Sequence, residues 1–118
     1  MREFDHVGVV TDEKQAEEMY VPATKVWVTN PATHPYKIEY LRFEPDTPVI
    51  GPVRNLPHIA FRVDNLEEAM GDSEILLGPF NPTETLRVVF VLQDGAVFEF
   101  MENAEGGRWF RGGDQSNS

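Results

Sequence analysis

Two stretches of the chain, Asp5-His6-Val7-Gly8-Val9-Val10-Thr11-Asp12 and Pro57-His58-Ile59-Ala60-Phe61-Arg62-Val63-Asp64, follow one pattern. Each contains a histidine, a β-branched residue and a small residue in succession, and an aspartate six positions after the histidine. β-Branched and aromatic residues dominate both stretches, which is typical of short strands, and the small Gly8 or Ala60 would let a neighbouring element pack closely. The repeat therefore predicts two related structural units in one chain.

Each copy is followed by a pattern that is typical of a short helix. An aspartate three residues before a Gln or Glu has the spacing of a capping box, and it occurs at Asp12 with Gln15 and at Asp64 with Glu67. Pro22 and Gly71 are the next helix-ending residues. We therefore expect helices over residues 13–20 and 65–70, each docked on a sheet because two turns are not stable alone in water.

After each predicted helix, the period of the apolar residues changes to two, which indicates strands. In the second half, strands are expected over residues 74–77, 86–92 and 96–101, with Asp94-Gly95 as the hairpin turn of the last pair. In the first half, residues 25–29 and 36–43 are clear strands. A degenerate fourth strand is expected around residues 47–50, where three prolines interrupt the pattern, namely Pro45, Pro48 and Pro52.

These elements predict an α+β fold in a single domain over residues 1–118. Two tandem βαβββ modules, at about 4–50 and 56–102, would form one cupped mixed sheet, with a degenerate fourth strand in the first module. The Gly-rich, polar tail over residues 105–118 is expected to be loop-like, with only Trp109 and Phe110 able to anchor it on the core.

Composition excludes several classes of function. Twenty acidic and ten basic side chains give a net charge of −10, so the surface would repel nucleic acids and anionic membranes. The chain has no cysteine for disulfides, thiolate nucleophiles or metal–thiolate sites. The first five residues include two acids, and the longest aliphatic and aromatic run covers only residues 88–92. We therefore expect a soluble, cytoplasmic protein that binds neither nucleic acid nor membrane.

A histidine near the start of each module and a glutamate on a late strand of the second resemble the vicinal oxygen chelate superfamily. This superfamily includes glyoxalase I, methylmalonyl-CoA epimerase, extradiol dioxygenases and the bleomycin-resistance proteins. The resemblance covers residues 4–102, and its most specific parts are residues 56–66 and 94–102. It implies the glyoxalase-like fold, in which two modules face each other across a cupped sheet and supply ligands to one divalent metal.

The resemblance also implies which residues would be the ligands. His6 and His58 match the first-strand ligands, and Glu99 matches the last-strand ligand of the second module. For the fourth ligand, Glu39 has the same apolar and aromatic neighbours as Glu99, but it lies 33 positions after its histidine instead of 41. An alternative register would place Leu41 in the ligand position, so the fourth ligand stays open between these two residues.

Two imidazoles and two carboxylates suit a divalent ion such as Zn, Ni, Fe, Mn or Co. The resemblance implies a small metal-dependent lyase or isomerase of the glyoxalase or epimerase type, acting on a small oxygenated metabolite. Its substrates would be found among hemithioacetals, 2-oxo acids, acyl-CoA thioesters and catechols, with Glu99 or Glu39 as the general base. His34, between Thr33 and Pro35, is expected in a solvated loop and is assigned no role.

Two other hypotheses remain open. A metal-free protein on the same fold could bind a small molecule, as the antibiotic-resistance relatives do, and an interaction module could retain a vestigial site. The resemblance further implies a homodimer. Five aromatic residues are candidates to line the cup of a binding protein: Trp27, Tyr40, Phe61, Phe90 and Phe98.

Overall fold

The computed structural model describes residues 2–103, so the predicted tail and its anchors Trp109 and Phe110 lie outside the described residues. Within this range the strands are β1 (Arg2–Val10), β2 (Met19–Val21), β3 (Val26–Val28), β4 (Ile38–Phe43), β5 (His58–Val63), β6 (Glu74–Phe80), β7 (Leu86–Gln93) and β8 (Ala96–Asn103). The helices are α1 (Pro52–Asn55) and α2 (Leu66–Met70), and a 3-10 turn covers Pro31–Thr33. No helix in this part of the chain is long and apolar enough to span a bilayer.

The eight strands form one mixed sheet in the order β2-β3-β4-β1-β5-β8-β7-β6, curled into a half-barrel. The central pair, β1 and β5, is antiparallel, whereas β1 with β4 and β5 with β8 are parallel. From the centre to the edge, the strands of the first half are β1, β4, β3 and β2, and those of the second half are β5, β8, β7 and β6. The two halves therefore have the same strand order. The prediction of a small α+β protein with a cupped mixed sheet is confirmed at this level.

The strand registers align the two halves residue by residue. Gly8 on β1 faces Glu39 on β4, and Ala60 on β5 faces Glu99 on β8. Because each histidine lies two positions before its small residue, Glu39 has the same position relative to His6 as Glu99 has relative to His58. Leu41 lies two residues further along β4 and pairs with Val10. The register thus distinguishes the two alternatives that sequence spacing left open.

The helix expected over residues 13–20 is not formed, and this prediction is wrong. Residues 11–18 are irregular, and Met19–Val21 is the edge strand β2. Side chains bond the backbone locally here, since Thr11 Oγ1 accepts a hydrogen bond from Glu13 N and Glu18 Oε2 accepts one from Gln15 N. Such bonds compete with a helix that has only two turns to stabilise it. The missing helix contributes to the shorter spacing between His6 and Glu39, and the short strands β2 and β3 contribute the rest.

The second predicted helix is present as α2, but its cap differs from the prediction. Asn65, and not Asp64, is the N-cap, because Asn65 Oδ1 accepts a hydrogen bond from Glu68 N at 2.8 Å. Glu102 Oε2 accepts another from Leu66 N, a long-range contact that the local sequence does not show. Gly71 ends the helix with a positive φ of 49°, as expected. In the β7–β8 turn, Asp94 and Gly95 both have positive φ, which agrees with the predicted hairpin.

The degenerate strand expected around residues 47–50 is also absent. The connection between β4 and β5, residues 44–57, contains the short helix α1 and places Val49 and Val53 in the buried core. Prolines prevent the connection from joining a ladder, because they lack a backbone N–H. Its two buried valines instead cover the concave side of the half-barrel.

Apolar side chains cover both sides of the sheet. The larger core cluster fills the concave side, where Leu41, Val88 and Met101 are at most 5% exposed. A second cluster on the convex side lies under α2, with Leu66 and Phe100 at its centre. Since β8 is covered on both sides, a charged residue that points from it into the concave side requires a partner.

Candidate metal centre

Four ionisable side chains from four adjacent central strands meet at the floor of the concave side. His6 Nε2 lies 3.3 Å from Glu39 Oε1 and 3.4 Å from Glu99 Oε1, and His58 Nε2 lies 3.2 Å from the same Glu99 oxygen. All four residues are buried, with exposed fractions from 0% for His6 to 9% for Glu99. One ligand atom from each of His6, Glu39 and His58 lies within 4.8 Å of the others, which is close enough for a single ion.

The electrostatics of the cluster favour a cation between the carboxylates. Burial lowers the pKa of His6, but the charge of Glu39 and hydrogen bonds with Asp5, Glu39 and Glu99 outweigh it and raise the pKa well above 6.5. Burial raises the pKa of Glu99, but the imidazole rings of His58 and His6 close to its carboxylate outweigh burial and lower the pKa to about 2. In the metal-free protein, a proton on His6 supplies the positive charge, and the same field would hold a divalent ion.

Asp5 fixes the orientation of the His6 ring. The register of β1 on β5 shifts between Phe4 and His6, so Asp5 is an extra residue on β1, a β-bulge. Its Oδ2 lies 2.7 Å from His6 Nδ1, and its Oδ1 lies 3.4 Å from Arg62 Nε. A carboxylate that holds Nδ1 as the protonated nitrogen leaves the Nε2 lone pair for a metal. Asp5 is thus a partner of His6 that the sequence analysis did not identify.

The environment of His58 is different, because Pro57 takes the place that Asp5 has in the first half. Both ring nitrogens of His58 are buried without a hydrogen-bond partner in the described residues, although Nε2 is in ion-pair range of Glu99. An imidazole that is 2% exposed and lacks hydrogen bonds is costly unless a ligand completes it. This orphaned ring is an observation that fits a metal ion at Nε2.

Gly8 makes room for the His58 ring. A Cβ atom on Gly8 would lie 2.0 Å from His58 Cε1 and 2.4 Å from Nε2. Phe90 borders the ring edge-on, with 5.1 Å between ring centroids. The expectation that a neighbouring element packs closely on Gly8 is therefore met, and the neighbour is His58 of the second half. Gly8 on β1 thus leaves the space that the His58 ring occupies, and Phe90 on β7 packs against the same ring.

Next to the cluster lies a cavity of about 50 Å³. Glu39 and Glu99 form part of its wall, and Thr24 is the one other polar residue among those of residues 2–103 that line it. Of the five aromatic residues expected in the cup, Phe90 alone lines this cavity. Phe61 and Phe98 pack with the convex cluster instead, because strand alternation directs them to the other face. The remaining aromatic lining is Phe43 and Phe80.

The structure thus places all four predicted ligands, His6, Glu39, His58 and Glu99, in one cluster. His34 lies apart from it, in the loop after the 3-10 turn, where its Nδ1 accepts a hydrogen bond from Tyr36 N. The positions of Asp5 and of the cavity could not be inferred from the sequence, because a β-bulge and the packing of a connection determine them.

The chain matches no protein-family model and no curated protein. It is similar in structure to a hypothetical protein from Bacillus halodurans C-125, known from its crystal structure, with a TM-score of 0.61. The two chains are 17% identical, and the match covers 99% of each. At this identity the similarity concerns the fold alone.

Proposed function

We propose that this protein is a small divalent-metal-dependent lyase or isomerase of the glyoxalase or epimerase type, built on the vicinal oxygen chelate fold as two tandem modules. Its substrate would be a small oxygenated metabolite. The observation that carries this proposal is that the side chains of His6 and Glu39, and of His58 and Glu99, are in ion-pair range and stand at equivalent positions of the two halves. Two structural units that each bring an imidazole and a carboxylate to one buried point favour a shared ligand over four separate structural roles.

The donor set fits a first-row divalent ion, held by His6, Glu39, His58 and Glu99. When bound, such an ion supplies Lewis-acid stabilisation of negative charge on a substrate oxygen. The chain supplies the rest: Asp5 orients His6, and the apolar wall excludes water. Glu39 and Glu99 border the cavity, so either carboxylate is placed to accept a proton from a bound molecule.

The cavity itself favours the second candidate, a metal-free protein that binds a small molecule on the same fold. An apolar cavity with a few polar groups in its wall is typical of a ligand site, with or without a metal. In that case, the proton on His6 would remain the cation of the cluster, and the histidines would have a structural role.

Metal binding by the purified, untagged protein distinguishes the two functions. Elemental analysis and titration of chelator-treated protein with Zn, Ni, Mn, Co and Fe(II) should give close to one ion per chain. His6→Ala and His58→Ala should abolish the uptake, and His34→Ala, which removes the third histidine of the chain, should leave it unchanged. Uptake of no ion by wild-type protein would contradict the metal-dependent function and favour the binding protein.

We also propose that the protein is a homodimer. The first half of the described sheet has four strands and ends at β2, and the second half ends at β6. The free edges of the described sheet are therefore β2 and β6. Of these, β6 is longer, and it carries Ile75, whose side chain is half exposed. Sedimentation should give twice the chain mass of 13.4 kDa, and a charged residue at Ile75 should lower it to the monomer value. A monomeric wild-type mass would refute the dimer.

A further inference from the structure

The cavity beside the histidine and glutamate cluster has a wall that is unusual for an enzyme of oxygenated metabolites. Within residues 2–103 it contains no lysine or arginine, and its charged groups are the two carboxylates of the cluster. Apart from Thr24, the rest of the wall consists of apolar side chains, among them Val28, Leu41 and Val88. A carboxylate or phosphate of a substrate would therefore find no counter-ion among these residues.

Charge balance leads to the same conclusion. Two carboxylates and one divalent ion sum to zero, so the loaded site carries no excess positive charge to neutralise an anionic substrate. An isolated ion in an apolar cavity loses its hydration without compensation, and proteins avoid that arrangement. A neutral molecule loses only the hydration of its polar end, which the cluster replaces.

The size of the cavity limits the ligand further. One water molecule requires roughly 10–15 Å³ of such volume, so a cavity of about 50 Å³ has room for on the order of five non-hydrogen atoms. Val49 and Val53, from the connection between β4 and β5, form part of the wall, and both are at most 4% exposed. A larger ligand would have to displace side chains of this wall.

We infer that the ligand of this site is a compact, uncharged hydroxycarbonyl or dicarbonyl compound, with its oxygens toward the cluster and its hydrocarbon end against the valine and leucine wall. The inference rests on the proposed function and narrows its substrate class. It excludes 2-oxo acids and acyl-CoA thioesters, which carry a carboxylate or phosphates, and it excludes molecules of the size of a hemithioacetal with a peptide thiol.

Two probes of equal size test the charge requirement. Hydroxyacetone and glycolate share one five-atom skeleton and differ in that a methyl group of the first is a carboxylate oxygen in the second. Titrations followed through the methyl NMR signals of Val53 and Val88 should show that hydroxyacetone binds the Zn-loaded protein at least about tenfold more tightly, because the carboxylate is desolvated without a counter-ion. Since glycolate chelates zinc more strongly in water, that preference would come from the cavity wall. Equal or tighter binding of glycolate would overturn the inference.

A change in cavity size tests the second requirement. Val53→Ala should enlarge the cavity and allow 2-hydroxyacetophenone, a neutral analogue with a phenyl group, to bind several-fold more tightly than it binds wild-type protein. Ile50→Ala is the matched control on the same connection, because Ile50 is 80% exposed and lines no part of the cavity. An equal gain in both variants, or in neither, would contradict the size limit.

The same titrations on chelator-treated protein separate this inference from the proposed function. If wild-type protein takes up no metal but hydroxyacetone still shifts the valine signals in preference to glycolate, the metal-dependent function fails and the ligand class stands. If metal binds with one ion per chain but neither probe shifts these signals, the ligand class fails and the metal function stands.

Discussion

The substitution Gly8→Ala tests how the site is constructed, because it adds one methyl group at the closest contact between the two halves. That methyl would lie 2.0 Å from Cε1 and 2.5 Å from Nδ1 of His58, far inside van der Waals contact. Phe90 also packs against the ring, so we expect the ring to shift or rotate away from Gly8. This movement would take Nε2 away from Glu99, from which it lies 3.2 Å in the native protein.

Two opposing contributions determine the change in the free energy of unfolding. Overpacking a buried site costs about 1–3 kcal/mol, and the lower entropy of the unfolded alanine variant returns about 0.4–1 kcal/mol, which leaves a net loss of roughly 1–2 kcal/mol. Each kcal/mol lowers the Tm of a domain of this size by roughly 4–8 °C. Metal affinity should fall by more than the 10–100-fold that loss of an outer-shell partner costs, because a ligand itself is displaced.

Thermal unfolding in chelator measures the loss of stability, and calorimetric metal titration measures the loss of metal affinity. Gly95→Ala is the control, since a Cβ there meets nothing within 4 Å, while its φ of +77° costs about 1–2 kcal/mol for an L-residue. It should lower the Tm to a similar extent and leave metal affinity unchanged. A second control repeats Gly8→Ala in a His58→Ala background, where the methyl has no ring to displace. An equal stability cost in both backgrounds would refute the reasoning.

Three other predictions concern the surroundings of the cluster. Asp5→Ala removes the partner of His6 Nδ1 and should weaken metal binding about 10–100-fold in calorimetric titration, and an unchanged affinity would show that Asp5 does not orient the ring. In chelator, the raised pKa of His6 contributes stability that is complete below about pH 6.5 and is lost as pH rises through the folded-state pKa. The Tm of metal-free protein should therefore fall at alkaline pH, and His6→Gln should flatten that fall if His6 is its origin. Asn65→Ala removes the cap of α2 and should cost about 0.5–2 kcal/mol in denaturant unfolding, whereas Asp64→Ala should cost less; the reverse order would restore the capping box expected from the sequence.

The cluster was predictable from the sequence to an unusual extent, because a repeat places chemically identical groups at equivalent positions. The two histidines at the strand starts and Glu99 on the last strand stood out on that basis. Glu39 was indicated by its apolar and aromatic neighbours but not by its spacing, since counting along the chain gave 33 positions instead of 41. The parallel register of β4 on β1 decides its place, and a register between distant strands is not a property of local sequence.

The errors have a common physical origin. The helix expected over residues 13–20 and the strand expected around residues 47–50 are short segments whose local preferences amount to a few tenths of a kcal/mol per residue. Tertiary contacts exceed such preferences, as when Arg42 on β4 binds both oxygens of Glu18 and holds the irregular segment against the sheet. The longer strands β7 and β8 were predicted well, because β-branched and aromatic residues dominate both and Asp94-Gly95 marks the turn between them.

The sequence by itself determined the strand-rich α+β class, the internal repeat and the types of side chain that the two halves contribute. Only the tertiary structure decided that four of these side chains share one buried point, that a β-bulge places Asp5 beside His6, and that a proline-rich connection lines part of a small cavity next to them. Local sequence records which groups are present and their periodicity. Distances between strands that are far apart in the chain depend on the register and packing of the whole sheet, and these determine which of the groups can act together.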